Sequence, residues 1–232
     1  MATNARRALG KPDARLRRSP TSEQVAEHIR QLIFDGELRA GDRIPQDAIA
    51  ADLGVSRIPV REALIEMARD GLVVNEPHVG AFVGEFSPQV IRDHLEIVAL
   101  LQGLAAERVA KRRDPEVLTR LDEINARVQS LTDPDAVDDA AVEFQRVVNA
   151  SGGSSRLRAV LRALGRMLPR RFFVEIPGSV LAQKTHTART LEAIQSRSSA
   201  RVRQAFLDAN RERADLIVAE LERRGTFTTP AS

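Results

Sequence analysis

The sequence predicts a mainly α-helical protein, in which a small N-terminal unit that ends in a β-hairpin precedes an antiparallel all-α helical bundle. Three observations predict this class. Apolar residues recur at helical spacing along most of the chain, the one clear change to strand-like alternation lies between Gly71 and Val83, and three prolines directly follow helix-capping residues. The chain has 232 residues and is 43% apolar, which is enough for a sizeable core.

The composition excludes several classes of protein. The absence of cysteine excludes disulfides, thiolate metal sites and cysteine nucleophiles. No apolar run approaches the roughly 18–20 residues of a membrane helix, and the N-terminus lacks the apolar core of a signal peptide, so we expect a cytoplasmic protein without membrane contact. The four histidines lie in unrelated segments, and neither a zincin motif nor a phosphate-binding glycine loop is present, which indicates that the protein is not an enzyme.

Residues 21–86 have the pattern of three helices followed by a hairpin. Thr21 or Ser22 is placed to cap the first helix and Ser56 the third, while Gly36 and Gly71 are placed to end them. A polar turn at 75–80 separates the two strands. The predicted elements are a helix from residue 21 or 22 to 36, a helix at 46–53, a helix at 57–71, and strands at 72–74 and 81–83.

The second and third of these helices have the spacing of a helix-turn-helix. Counted from Gln46, the fifth residue is Ala50, the ninth is Gly54 and the fifteenth is Val60. Alanine lets the helices approach closely, glycine permits a tight turn with positive φ, and valine locks the second helix onto the first. With the hairpin as a wing, residues 21–86 are predicted to form a winged helix-turn-helix that binds double-stranded DNA.

Three strings of residues carry a resemblance to a known family. They are GELRAGDRI at 36–44, LGVSRIPVREAL at 53–64 and DGLV at 70–73. Together they resemble the GntR family of transcription regulators over about residues 22–84. The resemblance implies that the helix after Ser56 enters the major groove by its N-terminal end.

The resemblance also implies roles for the residues of this helix. Ser56 and the first-turn amides would hold a phosphate, and Arg57 would reach guanine O6 and N7. Arg61, one turn further on, would read a base or grip the backbone. Ile58 and Pro59 stand where the family often has Thr-Pro, so Ile58 is expected to make an apolar contact with a thymine methyl group.

Three further residues are expected near the DNA. His78 and Gly80 lie at the wing tip, where the family commonly inserts a polar side chain into the minor groove; a solvated turn residue is the alternative for His78. Arg43 is expected to contact a phosphate. Residues 1–20 are predicted to be a disordered basic arm, which either tracks phosphates or is a passive tail.

Residues 87–226 have the pattern of a six-helix antiparallel bundle, with a tail at 227–232. Ser87, Asp114 and Asp133 each precede a proline, and proline suits the first position of a helix. The strings LAA at 104–106, ASG at 150–152 and LEAI at 191–194, with Phe144, resemble the FCD effector domain of the FadR branch and its six-helix VanR-like subgroup. The predicted helices are 88–111, 115–131, 135–150, 155–172, 179–196 and 200–224.

Many members of this branch bind a divalent metal with one Asp and three His, and this chain departs from that pattern. The matching positions are Ala141, Gln145, Thr187 and Asn210. Alanine has no donor atom, and neutral amides and hydroxyls compete poorly for zinc or nickel. We therefore expect neither a metal nor another cofactor.

A second departure concerns the charges of the effector pocket. An Arg and a Glu that commonly face the cavity are replaced by Val98 and Gln102. A nearly neutral pocket would suit a largely apolar effector, such as an acyl chain, oriented by the amides of Gln102, Gln145 and Asn210. The alternative is that these residues pack or hydrogen-bond in a filled core.

The sequence thus predicts a homodimeric repressor of a palindromic operator whose affinity for DNA changes when an effector binds. Bulk charge does not support this function, because residues 21–86 contain six basic and twelve acidic residues. The prediction depends on individual arginines. The rival interpretation is a helical adaptor that keeps the winged helix for protein contacts and binds DNA without sequence preference.

Overall fold

The computed structural model describes residues 20–169 and 171–227. The predicted arm lies outside these residues except for Pro20, and so does the predicted tail except for Phe227. The described residues are mainly helical with one two-stranded sheet, which confirms the predicted fold class. The elements are α1 (Pro20–Phe34), α2 (Gln46–Asp52), α3 (Arg57–Arg69), β1 (Val73–Glu76), β2 (Gly80–Val83), α4 (Pro88–Arg112), α5 (Pro115–Ser130), α6 (Pro134–Gly152), α7 (Ser155–Leu164), α8 (Ser179–Gln195) and α9 (Ser199–Arg223).

The N-terminal unit is built on the packing of α1 against α3. Val25 and Ile29 of α1 and Val60 and Met67 of α3 are fully buried in its core. Helix α1 begins at Pro20, so Thr21 and Ser22 lie in its first turn, and the prediction that one of them is the cap was wrong. Proline suits this position because it has no N–H that needs an intrahelical partner.

The two strands form an antiparallel hairpin with Val73 opposite Val83 and Asn75 opposite Ala81. Ala81 and Val83 face the core, whereas Val74 is exposed. At the tip the Val79 N–H donates to the Glu76 carbonyl oxygen at 3.2 Å. The predicted wing is therefore present, with strand ends shifted by one or two residues.

The bundle is organised around the long helices α4 and α9. Ion pairs join Arg92 to Asp215, Glu96 to Arg211 and Glu107 to Arg203. Because residue numbers rise along α4 as they fall along α9, the two helices run antiparallel. The predicted caps at the bundle's first three helices are confirmed: Ser87, Asp114 and Asp133 each accept a hydrogen bond from a first-turn backbone N–H.

Helix α7 is shorter than predicted. It ends at Leu164, not at 172, and residues 165–169 and 171–178 form a series of turns before α8. Pro169 and Pro177 lie in this segment, and a proline disfavours helical geometry at the residue before it. Phe172, the last residue of the predicted helix, and Phe173 are buried in the core.

The cores of the N-terminal unit and the bundle are continuous through three aromatic rings. The Phe34 ring of α1 meets Phe86 at a centroid distance of 5.0 Å and Phe172 at 4.9 Å, both edge to face. Phe86 lies between β2 and α4, and Phe172 lies in the turns after α7. Phe227 also packs against Phe86, with the ring centroids 5.6 Å apart.

Arg224 adds a polar clamp at the same junction. It pairs with Asp35 at 2.9 Å, with Glu220 at 2.6 Å and with Glu175 at 3.5 Å. Its guanidinium carbon lies 4.9 Å from the centre of the Phe172 ring. Hydrogen bonds from Arg223 and Arg224 lower the pKa of Glu220 to about 2 and keep this carboxylate charged. The end of α9 is thereby attached to the end of α1.

We predict that Phe34→Ala destabilises the whole described fold. The side chain is fully buried between the two units, and truncation of such a phenylalanine costs about 3–5 kcal/mol. Urea denaturation should show one transition with a lower midpoint. The transition is followed by circular dichroism and by the fluorescence of a reporter introduced into the bundle. Leu181→Ala, at a highly exposed site, is the control and should change stability by less than about 0.5 kcal/mol. Two separated transitions, of which only one responds to Phe34→Ala, would contradict a shared core.

Candidate nucleic-acid interface

The turn between α2 and α3 has the geometry that the sequence predicts. Ala50 is buried between the helices, Gly54 has a φ of +63°, and Val60 is fully buried. Ser56 occupies the N-cap position of α3, but its side chain makes no hydrogen bond to the first-turn amides. Those backbone N–H groups therefore remain available to an acceptor outside the chain.

The N-terminal end of α3 presents an exposed face made of Arg57, Ile58 and Arg61. Ile58 is 68% exposed. None of the carboxylates in the described residues pairs with Arg61. Pro59, predicted to lie at the DNA, is buried beside Val60 on the opposite face, so its role in this fold is packing.

Arg57 is held by an acidic neighbour on α2. Its Nε atom lies 2.6 Å from Asp47 Oδ1, and both side chains are more than two-thirds exposed, at 72% and 68%. An exposed pair of this kind contributes only about 0–1 kcal/mol, so a stronger partner can take the guanidinium. Sequence reasoning missed this pair because the two residues are ten positions apart on different helices.

The wing is fixed to the loop before α2 by Arg43. Its Nη2 atom donates to the Val79 carbonyl oxygen at 2.9 Å. Gly80, with a φ of +146°, leaves room for this side chain, since a β-carbon at position 80 would lie 3.1 Å from Arg43 Nε. Arg43 therefore positions the wing, and its contact with phosphate stays a prediction.

His78 lies exposed at the wing tip. Its φ of +64° places it in the left-handed region, as at the third position of a type II turn. Histidine is among the few residues other than glycine that occur there at appreciable frequency. The structure is compatible with both expectations for His78, a groove contact and a solvated turn residue.

The residues predicted to line an effector pocket are engaged with neighbouring groups in the bundle. The Thr187 hydroxyl donates to the Gln183 carbonyl oxygen at 2.8 Å, and Gln145 Nε2 donates to Asn149 Oδ1 at 3.0 Å. Asn210 Nδ2 donates to the Phe206 carbonyl oxygen at 3.0 Å and to Gln102 Oε1 at 3.4 Å. The remaining two, Val98 and Ala141, are half-buried.

A polar layer that sequence reasoning missed lies one helical turn from these residues. Gln183 Nε2 donates to Asp138 Oδ1 at 2.8 Å, and the guanidinium carbon of Arg213 lies 4.5 Å from the centre of the Phe173 ring. Arg213 Nε and Gln183 Oε1 are buried without a hydrogen-bond partner in the described residues. Burial lowers the pKa of Arg213 and raises the pKa of Asp138.

This layer places ionisable side chains beside the residues of the predicted pocket. The Arg213 guanidinium and the Asp138 carboxylate lie within the bundle. Burial is the main cause that lowers the pKa of His94 and of His186, and the charge of Arg213 lowers each further. Helical spacing was the signal that could have found them. Asp138 lies three residues before Ala141, Gln183 four before Thr187, and Arg213 three after Asn210, so each shares a face with a predicted pocket residue.

The family's metal does not fit the residues at its expected place. Ala141 offers no donor, and the Thr187 hydroxyl and Asn210 amide already donate to backbone carbonyl oxygens. Across residues 20–169 and 171–227, no group of three or more His, Cys, Asp and Glu side chains is arranged to hold a metal ion. No step of the function is therefore assigned to a metal.

Two cavities stand out on the described surface. One, of about 590 Å³, is an open groove between α5 and α6 lined by Arg120, Arg127 and Glu143. The other, of about 400 Å³, lies where the end of α3 meets α4 and α7, and we call it the junction cavity. None of the predicted effector residues lines either one. The junction cavity is lined by Arg69, Asp70, His94, Arg156, four further residues of α7, and Met167.

Comparison with known families agrees with this arrangement. Residues 21–83 match the family described as bacterial regulatory proteins, gntR family, and residues 93–209 match the FCD domain. The chain belongs to the GntR family. It is thus a DNA-binding transcription regulator with an FCD domain and not an enzyme. None of the helices in the described residues is long and apolar enough to cross a membrane.

Individual relatives extend the comparison over both domains of this GntR regulator. An uncharacterized HTH-type transcriptional regulator of Mycobacterium tuberculosis is 33% identical over 208 residues, which cover 90% of this chain and 85% of that protein. A probable D-xylose utilization operon transcriptional repressor of Paenarthrobacter nicotinovorans is 32% identical over 62% of this chain and 66% of its own. A GntR family member from Pseudomonas syringae has the same fold, with a TM-score of 0.54, 21% identity, and coverage of 88% of this chain and 87% of that one.

Proposed function

We propose that this GntR regulator is a cytoplasmic, homodimeric repressor of a palindromic operator, and that a small effector in its FCD domain changes its affinity for DNA. The exposed N-terminal end of α3 is the observation that carries the proposal. It combines two accessible guanidinium groups, an exposed isoleucine and unoccupied first-turn amides. The name of the Paenarthrobacter relative, a probable operon repressor, supports repression as the mode of action.

The arrangement of α3 suits direct reading of the major groove. The first-turn N–H groups would bind a phosphate oxygen and fix the register of the helix. Arg57 would then present two donors to guanine O6 and N7, and Ile58 would contact a thymine methyl group. The wing, positioned by Arg43, would carry His78 into the adjacent minor groove. An adaptor that bound DNA without preference would not need these side chains.

The ion pair between Arg57 and Asp47 would limit binding to the wrong sequence. On DNA, Arg57 must leave Asp47, and a carboxylate that close to the backbone also repels phosphate. Only a guanine in the right place would compensate for both effects. Asp47 would therefore lower general affinity for DNA and sharpen the preference for the operator.

We predict opposite effects for the two members of this pair. Arg57→Ala should weaken operator binding by about 1–3 kcal/mol and leave binding to random DNA nearly unchanged. Asp47→Asn should tighten binding to random DNA by up to about 1 kcal/mol and to the operator by less, because the competing exposed pair is lost and the preference for the operator falls. The measurement is fluorescence anisotropy with an operator selected from random sequence, at two salt concentrations. Equal loss on operator and random DNA in Arg57→Ala would show that Arg57 grips only phosphate.

An apolar stripe on α4 supports a homodimer. Ile97, Leu100 and Leu104 are each 39–53% exposed, and their spacing of three and four residues places them on one face of the helix. Glu96 and Glu107, which pair with α9, lie on a neighbouring face of α4, and the three stripe side chains stay exposed in the described chain. A second copy related by a two-fold axis would cover the stripe with its own and would pair two α3 helices on a symmetric operator.

We predict that Leu100→Glu converts the dimer to a monomer. In the dimer, a carboxylate in the middle of the stripe would be buried without a partner. In the monomer, water would solvate it. Sedimentation equilibrium should give half the mass of the natural chain, with weaker operator binding as a consequence. Leu181→Glu, at an exposed apolar site on α8, is the matched control and should leave the mass unchanged. A monomeric natural chain, or a dimeric Leu100→Glu variant, would rule out this interface.

The FCD domain would work without a metal and bind an effector that is apolar in the main. Val98 and Ala141 offer apolar surface, while the unpartnered Arg213 Nε and Gln183 Oε1 atoms are suited to a polar group on the same molecule. An effector between these layers would move α9 relative to α8. Since Arg224 attaches the end of α9 to α1, that movement would reach the DNA-binding unit.

We predict that zinc does not stabilise the natural chain. A metal at one hundred times its dissociation constant would add about 2.7 kcal/mol and raise the melting temperature by several degrees. The melting temperature should instead be equal in zinc and in EDTA. A variant with Ala141→Asp, Gln145→His, Thr187→His and Asn210→His restores the family's ligand set and serves as the positive control. A zinc-dependent rise in the natural chain would contradict the prediction.

A further inference from the structure

The junction cavity lies where the DNA-binding unit meets the bundle. Arg69 is the last residue of α3, Asp70 is its C-cap, and both face α7 across the cavity. Its volume of about 400 Å³ is within the range of roughly 300–1,000 Å³ that is usual for small-molecule sites. The junction cavity is distinct from the polar layer around Arg213. Of the residues described with that layer, only His94 lines the cavity.

One wall of the cavity is apolar. Helix α7 buries Leu157 and Leu161 in the bundle, and its neighbouring face turns Ala159, Val160 and Ala163 toward the cavity. The small alanine side chains leave the space open. A ligand lying on this wall would have an apolar body of modest size.

The rim of the cavity is positively charged. Neither Arg69 nor Arg156 pairs with a carboxylate in the described residues. Asp70 is the one acidic group of the lining. Burial raises the pKa of this carboxyl, and the nearby guanidinium groups of Arg166 and Arg30 oppose that rise and balance its negative charge. Two guanidinium groups are thus left for a ligand, one on each side of the domain junction.

His94 lies on the α4 side of the cavity and adds no charge. Burial lowers its pKa, and a hydrogen bond to the backbone of Leu164 only partly offsets that effect. The imidazole is therefore neutral at pH 7. The charge that a ligand meets in this cavity comes from the arginines.

We propose that the junction cavity is a ligand site for a small monocarboxylate with an apolar body, whose carboxylate pairs with Arg156 and Arg69 while its body lies on α7. Arginine is suited to this role because its planar guanidinium binds a carboxylate through two hydrogen bonds. The ligand would join the end of α3 to α7. Its occupancy would then fix the angle at which α3 meets DNA, a consequence that rests on the proposed function.

Direct binding to the full chain without DNA tests the site itself. Calorimetry or ligand-observed NMR is carried out with benzoate and hexanoate, and with benzamide and hexanamide as neutral counterparts. We expect at least one acid to bind and its amide to bind at least tenfold more weakly. Binding of neither acid, or equal binding of acid and amide, would overturn the proposal and would leave the DNA-binding function untouched.

Two variants locate the binding on the structure. Arg156→Gln should weaken the acid at least fivefold, whereas Arg162→Gln, an exposed arginine on the same helix that does not line the cavity, should not change it. Ala159→Leu places a larger side chain at the exposed edge of the apolar wall and should also weaken binding, with an unchanged circular dichroism spectrum. An acid that binds the Arg156→Gln and Ala159→Leu variants as it binds the natural chain would place the ligand elsewhere and overturn the proposal.

Discussion

The edge-to-face contact of Phe34 with Phe86 and Phe172 is the interaction on which the rest of the structure depends. Each ring comes from a different part of the chain: the first helix, the segment after the wing, and the turns after α7. Because Phe34 is fully buried between the other two, neither the DNA-binding unit nor the bundle closes its core alone. In a GntR regulator built in this way, a change in the bundle would reach the DNA-binding unit through packed side chains and not through a flexible linker.

Helix α9 is the element that joins the bundle to the DNA-binding unit. It carries Asn210 and Arg213 inside the bundle and ends in Arg224, which pairs with Asp35 directly after α1. The helix spans about 37 Å, at 1.5 Å per residue over 25 residues, so a small tilt at its centre becomes a larger displacement at Arg224. The junction cavity lies beside this route, between α3 and α7, so a ligand there would act on the recognition helix by a shorter path.

Local rules explain which parts of this fold were predictable from the sequence. The helix-turn-helix follows from Ala50, Gly54 and Val60, and the bundle caps follow from Ser87, Asp114 and Asp133, because each acts within a few residues of itself. The turns at 165–169 and 171–178 were not predictable, since Phe172 is stabilised by rings more than eighty residues away in sequence. The same limit applies to the Asp47 partner of Arg57 and to the polar layer, because Asp138, Gln183 and Arg213 come from three different helices.

The acidic character of the DNA-binding unit makes DNA binding depend on the contacts of α3. With twelve acidic residues against six basic ones, residues 21–86 gain little from the general attraction between a cationic surface and the phosphate backbone. In the proposed function, binding would then come from the contacts that only the right base sequence allows, through Arg57, Ile58 and Arg61. Each such contact contributes only about 1–3 kcal/mol, so a single unit would bind weakly. Two units joined through the α4 stripe would add their contacts on one operator, so that for this chain dimerisation and sequence specificity are parts of the same constraint.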